Sequence, residues 1–491
     1  MAKNTDRTHK LKIESDEFRK IGHELINSIA DFYETITERP VTTSESALDL
    51  ASLLTSQNLP EAGTNPAELV KNARKLLIEH SLHNGHPKFM GFITSSPAQI
   101  GALADLLAAA VNPNVGANIL SPMATAIEKQ TVQWLAEFIG VPGWSGLLVS
   151  GGNFANFTGF LAARTAKSSH DLKEKGLQSL PAPMVFYCST ATHTWIEKAA
   201  FLFGHGKNAI RWIECDTDNT MNRQKLEMTI IEDISKGLQP FLLIGNAGDV
   251  STGAVDDLNA LSVIARKYDL WFHVDGAYGA PAASLPEFHQ LFRGLEYADS
   301  IAIDPHKWLY APLEAGCVLV KDQQHLLKTF SSHPVYYNFE ESDGDNVLNY
   351  YEFGFQNSRC FRALKVWLAL QQAGREGYRQ LIREDIALAE QLYHEAEQHP
   401  DLQAITHNLS ITTFQYVPKS VSLDREDVNQ LNKQLVEVLQ KGGELFLSDA
   451  VILGRYCLRA CIVNYRTTPK DITESIDIIV REGERLLSAM K

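Results

Sequence analysis

Residues 300–310 read Ser-Ile-Ala-Ile-Asp-Pro-His-Lys-Trp-Leu-Tyr. An apolar run of β type breaks at Pro305, which cannot donate to a ladder, and Lys307 follows just past that end. A lysine hemmed by buried strands loses solvation, which lowers its pKa and frees an amine nucleophile. A lysine that snorkels from a strand end to water is the alternative for this stretch taken alone. Residues 270–279, Leu-Trp-Phe-His-Val-Asp-Gly-Ala-Tyr-Gly, end a second apolar run in an acid, Asp275, followed by small residues. Asp275 precedes Lys307 by one strand-and-connection unit, so two strands end in complementary chemical groups. That is where open α/β sheets bind ligands.

Working outward, apolar runs at 146–149, 184–187, 210–212, 241–244, 271–274, 300–303 and 317–320 alternate with helical stretches near 153–166, 195–203 and 258–268. The alternation predicts an α/β fold with a mostly parallel central sheet covered on both faces. From about 361 to 397 the pattern is nearly continuous helix, with Trp367, Leu368 and Leu370 on its buried side. Strands at 411–416 and 456–463 and helices at 428–440 and 471–490 then predict a small α+β C-terminal domain. Upstream, Phe18, Ile21, Leu25, Ile26, Ile29 and Phe32 recur at helical spacing, and after a linker at 42–56 and a turn cluster at 60–66 a second helix covers 67–79. A turn-rich connection at 112–118 leads to a helix at 124–139. The predicted division is an N-terminal helical arm at 1–110, a large domain at 111–370 and a small domain at 371–491. The arm cannot enclose a core alone, so it packs on a partner subunit or folds back as a cap on its own.

The chain has 491 residues and a net charge of −14, which argues against nucleic acid or an anionic membrane as partner. Its six cysteines are scattered without metal-ligand spacing and read as reduced thiols, and no metal site is expected. No signal peptide or membrane span is apparent, which predicts a cytoplasmic protein with a small-molecule substrate.

Residues 149–156, Val-Ser-Gly-Gly-Asn-Phe-Ala-Asn, join a strand to a helix. Glycines there let backbone amides approach an anion at a helix N-terminus, although Gly-Gly is also an ordinary tight turn. Lysine, acid and phosphate cradle together suit pyridoxal 5'-phosphate, the lysine holding the aldehyde and the acid pairing with the pyridine nitrogen. His-Val-Asp-Gly-Ala-Tyr at 273–278 followed by Asp-Pro-His-Lys-Trp at 304–308 resembles the group II pyridoxal-phosphate-dependent decarboxylases, the family of the aromatic-amino-acid and glutamate decarboxylases.

The resemblance implies the aspartate-aminotransferase-like type I fold, an intertwined homodimer with a shared active site, and decarboxylation of an L-amino acid to the amine and carbon dioxide. It implies that Lys307, Asp275, Ala277, His193, Gly152, Asn153 and His306 bind the cofactor, with His193 stacking on its ring. Ser95, within the irregular stretch 86–97, corresponds to the family hydroxyl that meets the substrate carboxylate. Tyr336, in the acidic stretch after 333, corresponds to the loop tyrosine that protonates the substrate carbon, with Tyr337 as the neighbouring alternative. The catalytic set is therefore Lys307, Tyr336 and His193.

Three departures from the family pattern stand out. Asn114 and Gly116 replace apolar groups that pack on an aromatic substrate, Asp249 replaces a threonine that contacts the cofactor, and Asp304 stands where some relatives carry asparagine. An aldehyde synthase or a transaminase on the same fold is the alternative, and a non-catalytic scaffold is the reading outside enzymology.

Overall fold

A computed structural model describes residues 10–54, 58–332 and 348–489. The first strand, Phe89–Met90 (β1), is followed by seven that form the large sheet: Ser145–Val149 (β2), Met184–Ser189 (β3), Ile210–Ile213 (β4), Gln239–Asn246 (β5), Trp271–Asp275 (β6), Ser300–Ile303 (β7) and Gly316–Val320 (β8). Their spatial order is β2-β8-β7-β6-β5-β3-β4. All neighbours are parallel except β8, which runs antiparallel to both β2 and β7. The carboxyl ends of the six parallel strands therefore share one edge of the sheet. The type I fold is the architecture observed here and in the solved structures it matches.

These strands are apolar on both sides because helices cover both faces. Phe241, Leu242, Leu243 and Ile244 of β5 are all fully buried. Helix Leu258–Lys267 turns Leu258, Leu261, Ile264 and Ala265 inward at helical spacing, and its Asp257 cap accepts the Ala260 N–H. Each of these Leu, Ile and Phe side chains contributes about 1.5–3 kcal/mol on leaving water. Helix Gly152–Lys167 is buried along most of its length, and it approaches β6 closely because residue 159 is glycine: a Cβ there would lie 2.8 Å from the His273 ring.

The C-terminal sheet combines β1 with Leu402–Asn408 (β9), Ile411–Tyr416 (β10), Phe446–Ile452 (β11) and Arg455–Cys461 (β12), in the order β1-β11-β12-β10-β9. β1 pairs parallel with β11, so the N-terminal segment contributes a strand to the C-terminal layer. The strands β9 and β11 and the helices Gln99–Val111 and Arg223–Ser235 were not anticipated from the sequence. The expected linker at 42–56 contains a helix, Ala47–Ser52, held by a Ser46–Asp49 capping box.

Helix Ala363–Gln398 is broken at Gly374, whose φ is 65°. The expectation for its buried side is corrected: Val366 and Ala369 are buried, whereas Trp367, Leu368 and Leu370 are half-buried. Trp367 leans outward to stack on Trp134 and donates its indole N–H to Gln130. Of the N-terminal stripe, Ile21 is buried, while Phe18 and Ile26 are exposed on the single chain. No helix among the described residues is long and apolar enough to cross a membrane, and no cluster of three or more His, Cys, Asp or Glu among them could hold a metal ion.

Candidate active site

A cavity of about 650 Å³ opens at the carboxyl edge of the large sheet. Gly151, Gly152 and Asn153 after β2, His193 after β3, Asp249 after β5, Asp275 and Ala277 at the end of β6, and Asp304 and Lys307 after β7 all line it. Sequentially remote residues meet because parallel strands deliver their ends to one place. Phe92, Ile93 and Thr94 form a further wall, and Ser448, Asp449 and Arg459 come from the C-terminal sheet.

Lys307 lies in the turn that follows Pro305, with its ammonium 3.3 Å from Asp304 Oδ2. Asp304 is buried, and its other oxygen, Oδ1, has no hydrogen-bond partner among the described residues. Gly152 sits directly against this carboxylate, since a Cβ on it would come within 2.6 Å of Asp304 Oδ2 and 3.3 Å of the Ala277 methyl. Gly316 is just as tightly constrained against the backbone of Gly151. The two chain segments can cross only as glycines, which leaves the start of helix Gly152–Lys167 as bare backbone at the cavity wall. That helix has no side-chain cap, so its N-terminal dipole is directed at whatever anion binds there.

Asp275 is held by groups that the sequence reading missed. Its Oδ2 accepts the Trp195 indole N–H at 2.7 Å and the Asn156 amide at 3.2 Å, and its Oδ1 accepts the Ala277 N–H at 3.2 Å. His193 Nδ1 accepts the Trp195 backbone N–H at 3.3 Å, which leaves Nε2 to carry the ring proton. Partial desolvation lowers the His193 pKa below its usual value, against the pull of the Asp275 carboxylate.

Two expected site residues make their hydrogen bonds outside the cavity lining. Ser95 is buried and donates its hydroxyl to the His306 carbonyl at 2.9 Å, so it is part of the support for the Lys307 turn; Thr94 faces the cavity instead. The reason is local: Phe92 adopts φ 52°, and this left-handed turn resets the order of side chains that follow. His306 Nδ1 bonds the Ala315 carbonyl at 2.7 Å, and Nε2 lies 3.7 Å from Asp304, so the ring ties the lysine turn to the start of β8 rather than lining the cavity. Tyr336 and Tyr337 lie outside the described residues.

The departures also have physical explanations. Asp249 accepts the N–H groups of Ser251, Thr252 and Ala254 and the Thr252 hydroxyl, which commits the carboxylate to its own loop. Asn114 Oδ1 accepts the N–H groups of Gly116 and Arg359, and a Cβ on Gly116 would lie 2.0 Å from the Asn357 carbonyl. Both positions serve the chain's own turn.

The residues present fit pyridoxal phosphate. An amine, a carboxylate and a glycine turn at a helix N-terminus share one space. Arg459, buried at its edge, donates Nη1 to the Phe92 carbonyl and Ser448, while Nε and Nη2 have no partner among the described residues. Buried guanidinium nitrogens without acceptors are costly, and a carboxylate or phosphate oxygen would satisfy them.

Comparison with known proteins agrees. A family described as pyridoxal-dependent decarboxylase conserved domain matches residues 49–417. The aromatic-L-amino-acid decarboxylase of Bacillus atrophaeus is 34% identical over 466 residues, covering 94% of this chain and 95% of that protein. A phenylacetaldehyde synthase from a Rosa hybrid cultivar is 29% identical over 488 residues, covering 97% and 96%. The crystal structure of Oryza sativa TDC with PLP and tryptamine superposes with a TM-score of 0.90 at 25% identity, covering 98% of this chain and 99% of that one.

Proposed function

The chain belongs to the pyridoxal-dependent decarboxylase family and is a pyridoxal 5'-phosphate-dependent carboxy-lyase that acts on an L-amino acid, and we propose that its substrate is aromatic and that Lys307, Asp275, His193 and Tyr336 carry the reaction. The observation that carries the assignment of residues is that Lys307 and Asp275 face one cavity from the ends of adjacent parallel strands.

When bound, pyridoxal phosphate supplies an aldehyde that condenses with the substrate amine and a ring that takes up the electron pair left by departing carbon dioxide. Lys307 holds the coenzyme between turnovers, and Asp304 balances the lysine's charge when it is released. Asp275 would hold the pyridine nitrogen in its protonated form, His193 and Ala277 would hold the ring, and Gly152 and Asn153 would hold the phosphate. Phe92 gives the cavity an aromatic wall, held at a φ that costs energy and therefore suggests use. Tyr336 delivers a proton to the substrate carbon.

The active unit we infer is a homodimer with a shared site, built from the arm at 1–110, the cofactor domain at 111–370 and the small domain at 371–491. Leu103, Leu106, Leu107 and Val111 on one helix and Ile119, Leu120 and Met123 beyond it are exposed on the single chain, an apolar surface that a second copy would cover. Light scattering should give twice the chain mass; a fully active monomer would refute this. A cytoplasmic location belongs to the same proposal, supported by six free thiols.

The test is a panel of amino acids incubated with the holoenzyme while carbon dioxide, amine and oxygen are followed. Aromatic substrates should yield amine and carbon dioxide in equal amounts without oxygen uptake. Borohydride followed by mass spectrometry should place a pyridoxyl group on Lys307, and a label on another lysine would sink the assignment. A second reading, an aldehyde synthase, is favoured by the phenylacetaldehyde synthase relative. Oxygen consumption with aldehyde in place of amine would establish it.

A further inference from the structure

Behind Asp275 lies a buried chain of hydrogen bonds that every donor crosses in the same direction. The Trp271 indole N–H donates to Ser300 Oγ at 2.8 Å, and the Ser300 hydroxyl lies 2.8 Å from His273 Nδ1. His273 Nε2 lies 2.7 Å from Asn156 Oδ1, and Asn156 Nδ2 donates to Asp275 Oδ2 at 3.2 Å. The carboxylate fixes the sense of each link. Asp275 can only accept, so Asn156 presents its amide nitrogen to it and its oxygen to the histidine. His273 must then donate from Nε2 and, being neutral, accept at Nδ1 from Ser300. Burial lowers the His273 pKa to about 4, which keeps the ring neutral.

We propose that His273, Asn156 and Ser300 are positioning residues whose one-way chain orients the Asp275 carboxylate and reserves its Oδ1 for the cofactor. The proposal rests on the reading that Asp275 pairs with the pyridine nitrogen. With Trp195 and Asn156 both on Oδ2, only the Ala277 N–H touches Oδ1 among the described residues. An asparagine cannot relay a proton, so the chain orients charge and conducts nothing. His273 and Ser300 are fully buried, and Gly159 leaves the space that the ring occupies. An apolar side chain would fill that space without the cost of burying an imidazole, so the polar chain answers to the carboxylate at its end.

The experiment titrates pyridoxal phosphate into the apo forms of the parent, His273→Phe, His273→Gln and Ser300→Ala proteins, recording affinity, the pH dependence of the bound cofactor's visible band, and apo melting temperature. His273→Phe should weaken binding about ten- to hundred-fold, the effect of losing hydrogen-bond support for a charged group, and should displace the pH profile of the band. His273→Gln keeps a donor in the place of Nε2 and should restore most of both. Ser300→Ala, which spares the ring, should shift both in the same direction by less, and it carries the test if His273→Phe does not fold. Parent-like affinity and pH profile in His273→Phe, or in Ser300→Ala where that variant stands alone, overturn the proposal whatever happens to melting. A parent that takes up no cofactor and gains no borohydride label on Lys307 overturns the functional assignment and this chain with it.

Discussion

Two buried carboxylates, Asp275 and Asp385, take the same kind of donor, yet they do different work. Asp275, at the end of β6, accepts the Trp195 indole on Oδ2 and lines the cavity. Asp385, midway along helix Ala363–Gln398, accepts the Trp308 indole at 2.8 Å and the Tyr310 hydroxyl on its own Oδ2. Trp308 and Tyr310 belong to the stretch that follows Lys307, so Asp385 holds the lysine turn in place. Burial pushes its pKa up to about 7, while the donors pull the other way. Asp275 lines the cavity, whereas Asp385 is not part of its lining and takes its donors from the interior. Burial alone does not distinguish them; access to the cavity does.

The largest expected effect tests that division. Asp275→Asn should lower kcat/KM about 10²–10³-fold, the scale of a lost electrostatic partner, with little change in unfolding free energy. Asp385→Ala should do the reverse, losing roughly 2–5 kcal/mol because two buried donors are stranded, while borohydride still labels Lys307. Urea unfolding and steady-state kinetics on both variants decide; equal stability losses would break the comparison.

A smaller effect lies in the pH dependence of stability. Asp385 titrates near 3.8 when unfolded and about 7 when folded, so between those values the native state holds a proton that the unfolded chain has released. Its contribution is therefore complete at the acid end and is lost as pH rises toward about 7. His273 has the opposite sign: its pKa falls from 6.5 to about 4, the unfolded chain binds the extra proton, and stability grows with pH across that window. Asp385→Asn should make the rise of stability with pH steeper, and His273→Gln should make it shallower, in urea titrations at several pH values. Slopes unchanged from the parent would show that neither group is perturbed as described.

The smallest effect asks whether hydroxyls divide as the carboxylates do. Ser95→Ala should cost about 1 kcal/mol of stability and leave KM unchanged, because its hydroxyl is spent on the His306 carbonyl. Thr94→Val should raise KM and leave stability alone.

What was readable beforehand follows from how local each signal is. The strands ending in Asp275 and Lys307 announce themselves as apolar runs cut by proline or glycine, and the glycine turn after β2 is equally local. The antiparallel course of β8 carries no such mark, because an apolar run does not record its direction. The inward turn of Ser95 was not readable because the stretch 86–97 has no periodicity to orient its side chains. Asn156, Trp195 and His273 stayed hidden for a different reason: two helices and one strand bring them to Asp275, and each alone looks like ordinary interior. Gly159 could be interpreted only once the ring it accommodates was visible.

The order of strands also sets a schedule for synthesis. β2 lies at the edge of the large sheet and has β8 as its one neighbour there, and Gly316 at the head of β8 closes against Gly151. While the ribosome makes everything between Val149 and Val320, the glycine turn has nothing to hold it in shape. At about 5–20 residues per second that interval is on the order of ten seconds or more. The glycine turn is thus completed only after β8 has been made, and until then β2 stands without its one neighbour in the sheet.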